Sequence, residues 1–330
     1  MTDIGFIGVG NMGRNQVDAF RQLDDCRITA AADSSPASLE KFSELCPDAA
    51  TFADHKALLA DGSIDAVVVA VPTALHASTV LDVLASGRSV LVEKPMARTV
   101  EQCQQMIDAA DKADRLLMVG HCRRFDNDWG TLASAYRDGR LGDPVLWRHV
   151  MAGVGPGGWF RDEQLGGGPL MDGAIHNQDF ANLLFGEPAS VVGNAIKFDP
   201  NCTGIDTGSV IIRYHNGCQL LLSWSWAVRG QRLHDVLGPQ GTFVFGPGDM
   251  TPPEGCGGHT LIDSDGSEHL LTFERRSMFV AQARHFLDCL QGKTTCASPG
   301  TEAIKAVALA ETVLAAARTG EVCEVDAVRV

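Results

Sequence analysis

The chain has 330 residues, 45% of them hydrophobic, with a formal charge of -14 and an isoelectric point near 5.1. That length and apolar content suffice for a sizeable core and lead to an expectation of two domains of roughly 100 to 200 residues each. The acidic balance argues against nucleic acid as a partner, since displacing counterions from phosphates needs clustered Lys and Arg.

The first strand starts without a basic, then apolar, leader, and no apolar run approaches the ~18 residues of a spanning helix. No membrane partner is expected, and the cytoplasm is the expected compartment. Asp3 to Gly8 is a short apolar run, Asn11 to Leu23 has helical spacing and Arg27 to Ala32 is again strand-like, giving a βαβ unit closed by Asp33. Ser35-Pro36 opens a helix to about Cys46, because serine caps free N–H groups and proline suits the first helical position. Ala49 to Phe52 follows as a strand. Asp65 to Val71 and Ser89 to Glu93 are nearly continuous apolar runs, as parallel strands covered on both faces require, with a helix between them ending at Gly87. Thr99 and Gln102 form a capping box for a helix to about Ala113, and Leu116 to Val119 reads as a sixth strand. The pattern predicts a doubly wound α/β sheet whose ligands bind beyond the carboxyl ends of the strands.

Those ends carry a recognisable chemistry. Gly8-Val9-Gly10-Asn11-Met12-Gly13 is G-x-G-x-x-G directly after the first strand. Gly8 permits the tight turn, Gly10 admits a pyrophosphate and Gly13 allows close packing, while the helix beginning near Asn11 and Met12 aims its free N–H groups at the phosphates. Asp33 stands 20 residues after Gly13, where a carboxylate accepts from ribose hydroxyls and repels a 2′-phosphate. No Arg or Lys follows in Ser34-Ser35-Pro36, so NAD is expected in preference to NADP, although Arg14 stands within the helix start.

Three further segments resemble the Gfo/Idh/MocA oxidoreductase family: Val71-Pro72-Thr73-Ala74-Leu75-His76, then Val92-Glu93-Lys94-Pro95, then Gly120-His121-Cys122-Arg123-Arg124-Phe125. The resemblance continues through Gly166-Gly167-Gly168-Pro169-Leu170-Met171-Asp172-Gly173-Ala174-Ile175-His176 and reaches Ser298 to Glu321, so it covers essentially the whole chain. It implies an NAD(P)-binding Rossmann domain over 1–120. It also implies an α/β domain for substrate binding and oligomerisation over 121–330, built on a large open, mostly antiparallel sheet. One face of that sheet would meet the cofactor domain and the other a second subunit, giving a homodimer or homotetramer. The residues agree with such a sheet: Ser209 to Tyr214, Cys218 to Trp226 and Thr242 to Phe245 are strand-like, and His215-Asn216-Gly217 supplies a hairpin turn.

The resemblance also implies the chemistry: oxidation of a secondary hydroxyl of a sugar, sugar acid, cyclitol or related polyol by hydride transfer to nicotinamide. Lys94 would stabilise the reacting oxygen, His176 would act as general base, and Asp172 would bind or orient. The residue before Pro95 is held extended, and a cis Lys94–Pro95 bond is compatible with the sequence. On a helix starting near Met171, Asp172 and His176 would share one face at about 5 to 6 Å between Cβ atoms. An isolated D-x-x-x-H is more often an unreactive surface pair, so the assignment rests on the resemblance. Val71, Pro72, Thr73, His76 and Glu93 fall at the cofactor, with His76 alternatively a packing residue. Arg124 would bind cofactor or substrate oxygens, or pair with an acid. Trp159 would stack on a sugar ring, and Trp224 with Trp226 would serve subunit packing.

No metal is expected. Asp172, His176 and Asp179 lack a completing ligand cluster, and the ten cysteines, without a C-x-x-C pair, read as buried thiols in a reducing compartment. Two other activities share this frame. One is a glycosidase-type reaction using tightly bound NAD for transient redox; the other is non-catalytic, NAD-binding regulation.

Overall fold

The computed structural model describes residues 1–60 and 62–328. Its first compact unit, Met1–Phe125 with Ser277–Ile304, begins with β1 (Thr2–Ile7), α1 (Asn11–Phe20), β2 (Cys26–Ala32), α2 (Pro36–Leu45) and β3 (Ala50–Phe52). It continues with α3 (His55–Leu59), β4 (Ala66–Val69), α4 (His76–Ala85), β5 (Ser89–Glu93), α5 (Val100–Ala113) and β6 (Leu117–Gly120). The six strands are parallel in the order β3-β2-β1-β4-β5-β6, so the strand order reverses beside β1 and opens a crevice at the carboxyl ends of β1 and β4. This is the expected doubly wound sheet.

Local details depart from the sequence in small ways. The first helix stops at Phe20 rather than Leu23, because Gln22 and Leu23 close tight turns onto the Ala19 and Phe20 carbonyls. Asp54 caps α3, a single short helix without a strong periodic signal. Thr99 accepts from the Gln102 N–H as expected, but the Gln102 side chain accepts from Arg98 N at 3.1 Å, one residue outside the anticipated box.

The second unit takes Asp126–Arg276 and residues 305–328. It contains α6 (Asn127–Arg137), β7 (Leu146–Ala152), α7 (Ile175–Phe185), β8 (Pro188–Ile196), β9 (Thr207–Tyr214) and β10 (Gln219–Ser225). Then come β11 (Leu233–Leu237), β12 (Gly241–Val244), β13 (Cys256–Asp263) and β14 (Glu268–Glu274). After α8 (Met278–Leu290) of the first unit, α9 (Gly300–Thr319) leads to β15 (Cys323–Glu324). Nine strands form one sheet, β14-β13-β12-β11-β7-β10-β9-β8-β15, antiparallel throughout except for β7 with β10. The β9–β10 connection turns at Gly217, whose φ of 88° suits glycine.

Ser277–Ile304 groups with the first unit although it follows most of the second in sequence. The cause is packing. Phe286 and Leu287 of α8 are fully buried in the cluster formed by Phe6, Val17 and Phe20, with the Phe20 and Phe286 rings edge to face at 6.4 Å. Among the described residues no helix is long and apolar enough to cross a membrane.

Candidate active site

At the carboxyl end of β1 the chain turns at Gly8, where φ is 85° and a Cβ would fall 2.6 Å from the Ala70 carbonyl oxygen. A Cβ on Gly13 would fall 2.1 Å from the Gly8 oxygen, so both glycines are required by backbone proximity. Gly10 differs. Nothing lies within 4 Å of the position its Cβ would take, and as N-cap of α1 it supplies no side chain to the helix N–H groups. The first turn of α1, Asn11 to Gly13, therefore has donors and space for an anion, which fits a dinucleotide pyrophosphate.

Asp33 stands beside this turn. Its Oδ2 accepts from Val9 N and its Oδ1 from Ser35 N, both at 2.8 Å, so the carboxylate is fixed while retaining lone pairs for further donors. Arg14 turns inward to brace the loop, donating to the Val9 carbonyl at 3.0 Å and to Asn11 Oδ1 at 2.7 Å.

Val71 and Pro72 follow β4 half-buried, and Thr73 is buried with its hydroxyl meeting no partner among the described residues. His76 is 1% exposed, with Nδ1 2.8 Å from the Pro95 carbonyl and Nε2 2.9 Å from that of Val71. It thus clamps the loop after β4 to the loop after β5, and its ring nitrogens are directed at main chain. Lys94 is half-buried and the Lys94–Pro95 bond is cis. Glu93 is buried beneath it, accepting from Gln16 Nε2 at 2.6 Å and from Lys94 N at 3.2 Å. Gln16 was not legible as a site residue. Arg124 donates to the Ala297 carbonyl at 2.7 Å, within the same unit.

In the second unit Asp172 and His176 lie on two different elements, contrary to the single helix expected. Pro169–Gly173 forms a π-helical turn closed by Ala174 N to Pro169 O at 2.8 Å, and α7 begins only at Ile175. The wider turn brings Gly173 against Trp226 and Trp224, where an added Cβ would lie 3.0 and 3.3 Å from their ring atoms. The two tryptophans therefore pack against this turn within the unit. Backbone packing requires two of the three preceding glycines: a Cβ on Gly168 would meet the Ile205 oxygen at 2.2 Å, and one on Gly166 the Phe160 backbone at 2.6 Å.

From Gly166 to Ala181 every residue is buried except His176. Gln178 straps α7 to the turn through the Leu170 carbonyl at 2.9 Å, and Asn177 is buried with an amide nitrogen that meets no acceptor among the described residues. Neither Asn177 nor Gln178 was singled out from sequence. Trp159 is half-buried and stacked on Phe160 at 3.8 Å between centroids.

The site residues thus fall into two groups, the glycine loop through Arg124 in the first unit and Trp159 through His176 in the second. The model of the oxidoreductase family with an NAD-binding Rossmann fold, GFO_IDH_MocA, matches residues 2–121, and the GFO/IDH/MocA C-terminal domain matches 129–244. The chain belongs to the Gfo/Idh/MocA oxidoreductase family. Within that family it is similar to D-apiose dehydrogenase of Rhizobium rhizogenes, 25% identical over 99% of both chains. It is 28% identical to myo-inositol 2-dehydrogenase of Thermotoga maritima over 65% of each. Its fold is similar to that of an oxidoreductase from Agrobacterium radiobacter solved with NAD+, L-tartaric acid and magnesium, with a TM-score of 0.84, 21% identity and 98% of both chains covered.

Proposed function

We propose that this family member is an NAD-dependent dehydrogenase that oxidises a secondary hydroxyl of a sugar, sugar acid, cyclitol or related polyol. The observation that carries the reading is the uncapped start of α1 over the open space at Gly10, beside an Asp33 already fixed by Val9 N and Ser35 N. The first-turn N–H groups hold the pyrophosphate, and Asp33 accepts from the ribose hydroxyls with its remaining lone pairs. Its negative charge, with no cation in Ser34-Ser35-Pro36, favours NAD over NADP. Val71, Pro72 and Thr73 border the cofactor, and Glu93 and His76 hold the loop that presents Lys94.

A bound nicotinamide supplies the hydride-accepting ring. His176 removes the hydroxyl proton, its exposure within a buried run supporting exchange with substrate and solvent. Asp172 orients, the Lys94 ammonium stabilises charge developing on the oxygen, and Arg124 and Trp159 bind substrate. The sugar and inositol substrates named for the relatives support the substrate class. Self-association is part of the reading, supported by Ile211 and Leu221, which are paired across β9 and β10 and partly open to solvent. Ten free thiols support a reducing compartment.

The test is NADH formation across inositols, aldoses, sugar acids and glycosides, with light scattering of the same sample for mass. Turnover of a polyol with NAD supports the reading. Nicotinamide binding without turnover of any member, or glycoside cleavage with no added NAD, contradicts it.

A further inference from the structure

We propose that His285, Cys289 and Cys296 form a binding site for one zinc-class divalent metal ion in the first unit, with the fourth coordination position open to water. The sequence hides this trio, because its H-x-x-x-C-x-x-x-x-x-x-C spacing is not a paired ligand motif and ten cysteines suggested only buried thiols. Five of the ten, these two among them, are in fact partly exposed.

Two elements bring the ligands together. His285 and Cys289 are four apart on α8 and so lie side by side on one face. Cys296 comes from the segment after the helix, which is pinned to the first unit by Val119 N donating to the Ser298 carbonyl at 2.9 Å and by Arg124 donating to that of Ala297 at 2.7 Å. The imidazole nitrogen and both sulfurs all lie within 4.8 Å of one another.

The spacing is close to what the ion needs. Tetrahedral zinc, with bonds of about 2.3 Å to sulfur and about 2.0 Å to nitrogen, sets sulfur and nitrogen about 3.5 Å apart and two sulfurs about 3.8 Å apart. His285 Nε2 and Cys289 Sγ are already at 3.4 Å. Bringing Cys296 to ligating distance takes no more than about an ångström of side-chain adjustment on that geometry.

The neutral imidazole is ready to accept a cation, whereas both thiols must lose their protons as it binds. Burial holds His285 below the ordinary histidine range, so the ring is neutral near pH 7. Its Nε2 accepts from Ala297 N at 2.9 Å, so that nitrogen carries the lone pair and the ring proton is on Nδ1; the ion takes this lone pair by displacing the Ala297 N–H. Burial, reinforced by Cys296, pushes the Cys289 thiol up to about 11, and burial also raises Cys296 against the opposing pull of Arg124. Asp288 adds negative charge facing both His285 and Cys289. The two thiols resist ionising together until a divalent cation compensates them. On binding, two metal–sulfur bonds and one metal–nitrogen bond form, two protons leave to solvent, and no electrons are transferred. The Ala297 N–H loses His285 as its acceptor.

The experiment uses the full chain, reduced, freed of metal with a chelator and free of nucleotide, titrated with cobalt(II) and then zinc. The expected result is one cobalt per chain, bound with release of two protons and giving thiolate-to-cobalt charge-transfer bands and the intense visible bands of a tetrahedral site, then displaced by one zinc with no further proton release. C289S and C296S should each lose charge-transfer intensity, and H285N should shift the visible bands while keeping both thiolates. X-ray absorption of the zinc-loaded wild type counts two sulfurs and one imidazole nitrogen without reliance on any variant's folding. A weak octahedral spectrum, a spectrum unchanged in C289S and C296S, or zinc bound by oxygen ligands alone would overturn the proposal. So would a Cys289–Cys296 disulfide whose reduced form takes up no metal.

Discussion

The Gln16 amide donates to Glu93 Oε1 at 2.6 Å, joining the helix that follows the glycine loop to the strand end that carries Lys94. Both residues are buried, and the second carboxylate oxygen accepts from Lys94 N. Removing the donor leaves a buried carboxylate short of a partner, and a hydrogen bond to a charged group contributes about 1.5 to 3 kcal/mol. Gln16→Leu is expected to lower stability by about 2 kcal/mol on that scale and to raise KM for NAD. Urea unfolding followed by circular dichroism, together with initial rates at varied NAD, checks both effects.

Asp33 fixes the loop through Val9 N, and on the proposed function it also accepts from the ribose. Asp33→Asn keeps one acceptor for the loop but removes the negative charge, so discrimination against a 2′-phosphate should fall by about ten- to a hundredfold, equivalent to about 1.4 to 2.8 kcal/mol. Competitive fluorescence titration with NADH and NADPH measures this ratio. An unchanged ratio would mean that Asp33 serves the loop alone.

The first unit was legible wherever a signal was local. Apolar runs gave the parallel strands, Ser35 and Thr99 marked helix starts, and the glycine spacing followed from backbone proximity at Gly8 and Gly13. What could not be read depended on partners distant in sequence. Gln16 reveals its role only through Glu93, 77 residues away. Helix α8 joins the first unit through partners far away in sequence, Phe286 against Phe20 and Arg284 against Asp25. The π-helical turn before α7 was missed because periodicity treats Asp172 and His176 as helical neighbours, whereas Gly173 is drawn against Trp224 and Trp226.

Asp25, just before β2, fastens α8 by accepting from Arg284 at 2.7 Å and Gln291 at 3.3 Å. The Arg284 hydrogen bond lowers its pKa from 3.8 to about 2, against an opposing effect of burial. Because the folded value is depressed, the stabilisation is complete above about pH 4 and is lost as pH falls toward 2. Both side chains are about a third exposed, so solvent screening limits the effect to under about 1 kcal/mol. Asp25→Asn should therefore be slightly less stable than wild type at pH 6, with the gap closing between pH 4 and 2. Urea midpoints measured across that range check the sign.

Gly173→Ala places a methyl group 3.0 Å from Trp226 and 3.3 Å from Trp224, on the residue after Asp172. The indole rings or the turn must give by a few tenths of an ångström, a fraction of the ~1 Å misplacement that costs about a hundredfold in rate. A fall in kcat of up to about tenfold is expected, with NAD affinity unchanged. Steady-state kinetics beside NADH titration separate the two.

Lys94 and His176 are the two side chains proposed to carry hydroxyl oxidation by bound NAD. The most direct measurement is the NADH produced from a panel of inositols, aldoses and sugar acids by the wild type, Lys94→Ala and His176→Ala, with NADH affinity measured on each protein. Turnover of at least one polyol by the wild type is expected, with a loss of about a hundredfold or more in both variants and wild-type NADH affinity retained in His176→Ala. Comparable turnover in the variants, or nucleotide binding by the wild type with no polyol oxidised, would contradict that role.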